Sequence, residues 1–293
     1  MDLTIPEPVL RLGAFALIFG ALVVLELTHP RLEREEMAGA LKSRRWLTNL
    51  SMVVISSVAL RFLFPLAAVG TALWAQGAGV GLFNNLAVPG LVAGLIVFVA
   101  LDFAVWLEHV ASHRIPLLWR IHRMHHADTG FDVTTALRFH PLEIVLSMVW
   151  KAAIIVALGA PVLAVLVFEI VLNGMAMFNH SNLKLPLGLD RWLRRLVVTP
   201  DMHRVHHSSL RRETDSNYGF NLSLWDRLFG VYVAQPKLGH EGMEVGLETW
   251  RDGREAAGLG WTLMLPFRPL KVPAMGQARA EGGIAEGVEG EGA

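Results

Sequence analysis

Four stretches of the chain stay apolar over lengths that matter to a bilayer: residues 8 to 28, 47 to 74, 87 to 108 and 142 to 178. A hydrocarbon core takes about 20 helical residues, so the first and third each predict one transmembrane helix. The second is longer. Trp46 and Trp74 flank it as interfacial anchors, and Arg61 and Pro65 interrupt it. A single kinked span is the expectation there, two shorter pieces with one re-entrant the alternative. The fourth is too long for one helix, and Gly159 with Pro161 predicts a hairpin that returns the chain to its starting side. Residues 258 to 270 are apolar but too short to span and are expected in the interface.

The polar segments between these runs set the orientation. Residues 29 to 45 carry Arg31, Arg34, Lys42, Arg44 and Arg45, whereas 75 to 88 carry no charge. The positive-inside rule puts the former in the cytoplasm and the N-terminus outside. A cleaved signal peptide is the competing reading of the first run, but MDLTIPEP is acidic and no small-x-small site follows, so retention is expected. Residues 191 to 207, with Arg191, Trp192, Arg194 and Arg195, read as an interfacial helix or an ordinary amphipathic surface helix.

Composition agrees with a membrane protein: 53% of the 293 residues are hydrophobic and only 18% charged. The net charge is zero and no long run of like charge occurs, so nothing points to nucleic acid. With no cysteine, the chain offers neither thiolate ligands nor a cradle for an iron–sulfur cluster.

Histidine changes the picture most. Of 12 in the chain, eight fall in three short boxes: His109 and His113; His122, His125 and His126; His203, His206 and His207. Residues three and four apart share a helix face, and the HxxHH spacing occurs twice. Eight imidazoles exceed the needs of one tetrahedral ion and point to two metal ions held mainly by nitrogen. His109 lies where the third span leaves the membrane, and the predicted hairpin returns His180 to the same face. Asp102, two turns before His109, is placed to orient a ligand histidine or simply to be solvated. Lys151 and Glu169, inside the fourth run, are either functional or a structural pair. The fold expected is an all-helical integral membrane bundle with a cytoplasmic, histidine-rich, metal-binding cap. Its organisation reads as an anchor region at 1–86, a catalytic domain at 87–234, an interfacial segment at 235–275 and a disordered tail at 276–293.

From Asp102 to Tyr232 the chain resembles the fatty acid hydroxylase and sterol desaturase superfamily of membrane non-haem di-iron enzymes. HxxxH at His109, HRMHH ending at His126, RFHPLE around His140, FNHSN around His180, TPDMHRVHH, and TDSNYG leading to LWDRLFG carry the likeness in order and spacing. Val110 and the Trp106-Leu107 pair depart from a frequent subfamily pattern beside the first box. The resemblance implies that His109, His113, His122, His125, His126, His203, His206 and His207 hold two irons. It adds His140 and His180 as further ligands and puts Asp215, Asn217 and Tyr218 behind the last box. It also implies oxygen as co-substrate and a lipid substrate that is hydroxylated or desaturated. Electrons would come from a separate ferredoxin-like or cytochrome b5-like donor with its reductase, since no haem module or Gly-rich dinucleotide motif is present. Two rivals stand beside this reading: a membrane metal-binding or transport protein, whose histidines would line a path through the spans, and a zinc-dependent membrane hydrolase, which would need an HExxH-type base that these boxes lack.

Overall fold

The computed structural model describes residues 6–269, so the expected tail at 276–293 lies outside the described residues. Those residues form helices joined by loops and isolated bridges, with no sheet among them. The chain is a multi-pass membrane protein, with five segments long and apolar enough to cross a bilayer. Helix α1 (Glu7–Thr28) is followed by α2 (Gly39–Leu63), α3 (Ala67–Gly77) and the short α4 (Leu82–Asn85), then by α5 (Gly90–Arg114) and α6 (Pro116–His126). The hairpin α7 (Pro141–Leu158) and α8 (Val162–Asn179) comes next. Four short helices, α9 (Leu187–Leu193), α10 (Pro200–His206), α11 (Arg211–Thr214) and α12 (Leu224–Leu228), build most of the cap.

Side chains on the outside of the bundle are those a lipid environment favours: Leu17 is 74% exposed, Leu91 77% and Phe62 83%. Inside, Ala68, Ala72, Val97, Leu101, Ile155 and Phe168 form the main core between α3, α5, α7 and α8. Helices α1 and α8 run parallel. Arg11 meets Glu169, Ile18 lies against Gly174, and Glu26 Oε1 accepts from Asn182 N (2.5 Å) and Val133 N (2.8 Å) at the cap.

The stretch around Arg61 and Pro65 crosses once, in two pieces. Pro65 supplies no N–H, and the helix stops at Leu63 and restarts at Ala67, whose φ of 49° marks the break. Helix α2 starts in the cap, where Arg45 is fully buried and donates to both oxygens of Asp128 (2.6 and 2.9 Å) and to Asp132 (3.0 Å). Helix α3 ends at the opposite face, where Gly81 (φ 99°) packs against Gly159 (φ 60°), the turn of the α7–α8 hairpin. A Cβ at Gly81 would stand 2.1 Å from Gly159 N, so only glycine permits this approach.

The segment after residue 235 folds back over the cap. Leu265 is fully buried with Met52 and Met124, and Arg123 donates to the carbonyls of Leu265 (2.8 Å) and Arg268 (2.6 Å). Met264 and Phe267 remain exposed beside it.

Candidate metal centre

Three features of local sequence set the histidines. Helix α5 ends at Arg114, before Ile115 and Pro116, with His109 and His113 one turn apart on its last turns. Pro116 opens α6, which carries His122, His125 and His126. Thr199 caps α10 by accepting from Met202 N (3.4 Å), and Pro200 occupies its first turn, so His203, His206 and His207 repeat the arrangement.

The structure brings nine histidines together in two groups. His109, His113, His122, His126 and His206 form one, and His125, His180, His203 and His207 the other; within each, the candidate ligand atoms lie within 4.8 Å of one another. All nine are buried. The groups abut: His126 stacks on His207 with centroids 4.5 Å apart, and His203 on His206 at 5.0 Å.

Hydrogen bonds on the outer ring nitrogens decide which atoms face inward. His109 Nδ1 donates to the Tyr218 carbonyl (2.7 Å), His206 Nδ1 to the Ser216 carbonyl (2.7 Å), His180 Nδ1 to the Ala176 carbonyl (2.7 Å) and His125 Nδ1 to the Arg138 carbonyl (3.2 Å). A carbonyl only accepts, so each of these rings carries its proton outside and leaves Nε2 bare. His122 Nδ1 meets Glu143 Oε1 (2.6 Å), and His113 Nδ1 meets Asp215 Oδ1 (3.3 Å). The inward Nε2 atoms then converge with those of the remaining rings. His122 Nε2 lies 3.1 Å from Nε2 of both His109 and His126, and His180 Nε2 lies 3.1 Å from those of His125 and His203 and 3.2 Å from that of His207.

Lone pairs facing each other at that distance repel, and burial forbids relief by protonation. Burial brings His122 down to about 3 and His180 to about 4. Burial and the neighbouring imidazoles hold His125, His126, His203, His206 and His207 well below the usual histidine range. Neutral imidazoles with inward lone pairs are the state a cation requires. Without a hydrogen-bond partner remain Nε2 of His113 and His206 and Nδ1 of His126, His203 and His207, so no outer partner sets the tautomer of the last three.

Other expected residues fall differently. His140 joins neither group: it caps α7, its Nδ1 accepting from Leu142 N (3.2 Å) and its Nε2 meeting the Leu263 carbonyl (3.3 Å). With both nitrogens engaged it has no lone pair to offer. Asp102 does not orient a histidine either; its carboxylate accepts from Trp225 Nε1 (2.7 Å). Seven residues of helix separate it from His109, about 10 Å along the axis, which exceeds its reach. Asn217, held at φ 49°, ties α10 to the following chain by donating to the carbonyls of Met202 (2.9 Å) and Val233 (2.8 Å). Tyr218 turns its carbonyl to His109 and its ring to His113.

Two residues escaped the reading of the sequence. Glu143 fills the place behind a histidine that Asp102 was expected to take, although it looks like an ordinary acid in the first turn of α7. Its position three residues after His140, in RFHPLE, is the signal that could have found it. Asp226 accepts from Tyr218 N (2.8 Å), Gly219 N (3.0 Å) and Trp106 Nε1 (2.9 Å), and so fixes the loop whose carbonyl holds His109. Burial lifts its carboxyl to about 6.

His109 and His122 also line a cavity of about 260 Å³ that runs down between α2, α5, α7 and α8. Its walls combine Val105, Leu137 and Met148 with Glu143, Ser147 and Lys151.

Residues 94–231 match the family model for fatty acid hydroxylase. The chain is 29% identical over 177 residues to ornithine lipid hydroxylase OlsE of Rhizobium tropici, covering 60% of this chain and 50% of that protein. It is 30% identical over 139 residues to alkylglycerol monooxygenase of Homo sapiens, covering 47% of this chain and 30% of that one. To fatty acid hydroxylase vlmA of a Lecanicillium species it is 30% identical over 159 residues, 45% of this chain and 40% of that one. The chain thus spans half or less of the length of these relatives. No solved structure matches. The segment that is similar to fatty acid hydroxylases, residues 94–231, contains both histidine groups.

Proposed function

We propose that this protein is a membrane oxidoreductase that binds two iron ions, one in each histidine group, and hydroxylates a C–H bond of a lipid with O2. The convergence of bare Nε2 atoms, at the head of a cavity inside a membrane bundle, carries the reading. The relatives named as an ornithine lipid hydroxylase, a fatty acid hydroxylase and an alkylglycerol monooxygenase support it. His109, His113, His122, His126 and His206 would hold one ion and His125, His180, His203 and His207 the other. Iron in such a site supplies the oxidising power towards an unactivated C–H bond that acids and bases lack.

The chain's own residues do the rest. Tyr218, Ser216, Ala176 and Arg138 hold the imidazole tautomers through their carbonyls. Glu143 holds the ring of His122, whose other nitrogen faces the first group. The cavity would present a substrate carbon beside His109 and His122. Electrons come from a separate donor at the cap, which faces the cytoplasm with the N-terminus on the opposite side.

Metal analysis of the purified chain tests this. Two irons per chain are expected, and a His125→Ala, His206→Ala double variant, which strikes both groups, should lose them together with O2-dependent lipid oxidation. About two zincs from iron-replete cells would turn the reading towards metal-activated hydrolysis, and absence of bound metal would end it.

A further inference from the structure

The cavity beneath the histidines is not lined as a channel for a plain alkyl chain would be. On α7, Glu143, Ser147 and Lys151 repeat every four residues and share one face, which lines the cavity from its head downwards. Ser147 donates to Glu108 (3.0 Å). At the lower end Lys151 Nζ donates to Glu169 Oε1 (2.6 Å), and Arg11 reaches Glu169 Oε2 (3.4 Å) and Glu7 (3.1 Å). The side chains of Lys151 and Glu169 are 9% and 4% exposed.

An ammonium has three donors, and Glu169 is the one hydrogen-bond partner of Lys151 among the described residues. Two N–H groups therefore border the cavity without a partner. Against an alkyl chain they would stay unsatisfied, at a cost that a dry apolar site makes large. An anion is no better matched. Glu169 already answers Lys151, and Glu7 answers Arg11. A third carboxylate or a phosphate would be buried with no cation of its own. What fits is a neutral oxygen.

Eight helical residues from Glu143 to Lys151 amount to about 12 Å, and Glu143 touches His122. We propose, resting on the reading of the cavity as the substrate site, that the substrate is a lipid with an uncharged hydrogen-bond acceptor, a hydroxyl, ether or carbonyl oxygen, about 12 Å from the carbon presented to the histidines. Lys151 recognises that oxygen, and Glu169 and Arg11 hold Lys151 in place.

The test is equilibrium binding of a ligand series to the iron-loaded, detergent-purified chain. The series comprises long-chain ketones of one length with the carbonyl walked along the chain, the parent alkane, and the alcohol, ether and carboxylate at the best position. Expected is one narrow optimum that binds at least about tenfold tighter than the alkane, with alcohol and ether following the ketone and the carboxylate falling behind. A Lys151→Met, Glu169→Gln variant should flatten the optimum while keeping its metal content, which reports an intact fold. A flat wild-type series overturns the proposal and leaves the oxygenase reading standing, with the polar cluster a structural pair. A carboxylate that binds best overturns the neutral-oxygen assignment. Metal-loaded protein that binds no member of the series sinks the cavity as a substrate site, and the proposal with it. If the variant loses its metal, the wild-type series alone decides.

Discussion

The two histidine groups share one ligand chemistry and differ in what stands behind it. The group centred on His122 borders the cavity and adds carboxylates, Glu143 on His122 and Asp215 on His113, to the main-chain carbonyls behind His109 and His206. The group centred on His180 is backed by main-chain carbonyls and by aromatic rings: Phe139 stacks on His125 (4.4 Å) and Phe131 on His180 (5.9 Å). A carboxylate raises the basicity of a ligand histidine more than a carbonyl does. The two positions are therefore unequal, and the one beside the cavity has the more electron-rich support.

Substitutions can break this comparison. The largest effect should come from His122→Ala and His180→Ala, each of which removes the nitrogen on which its group converges. Each should abolish metal in its own group, weaken its retention in the other and cost nearly all lipid oxidation, measured by metal analysis and product yield; undiminished retention in the untouched group would show that the two load separately. Arg45→Met should destabilise the fold by about 3–5 kcal/mol, because it leaves Asp128 and Asp132 buried without their cation. A thermal melt would register that, with both groups affected alike. Glu143→Ala should weaken metal at the His122 group by about 10- to 100-fold and affect the other group less, as competition with a chelator would resolve; an equal effect on both would remove the inequality argued above. His140→Ala should be mildest, about 1 kcal/mol from the lost helix cap, with metal content unchanged. Loss of an ion would restore it as a ligand.

Much of this was legible because the signals are local. Helical spacing put His109 with His113 and repeated HxxHH, while Gly159 and Pro161 marked the hairpin that returns His180. What escaped depends on distances along and between helices. Asp102 shares the sequence neighbourhood of His109 but not its level on the axis, so Trp225 takes its carboxylate. His140 has a histidine's chemistry and a cap's position, and the cap prevails. Arg45 reads as one more cytoplasmic charge, yet it is buried in the cap against two aspartates from a segment more than eighty residues away. Sequence order carries no trace of such a meeting.

The interleaving of the two groups has a consequence for how the protein matures. His125 and His126 are neighbours in the chain but serve different groups, as are His206 and His207. A metal bound at either position would fix backbone that the other position needs, so the first ion to arrive would lower the ordering cost met by the second. Chains carrying a single ion should be scarcer than independent sites would give. In a cell short of metal, the population should divide into fully equipped molecules and empty ones, the latter open to proteolysis, with few half-equipped enzymes between them.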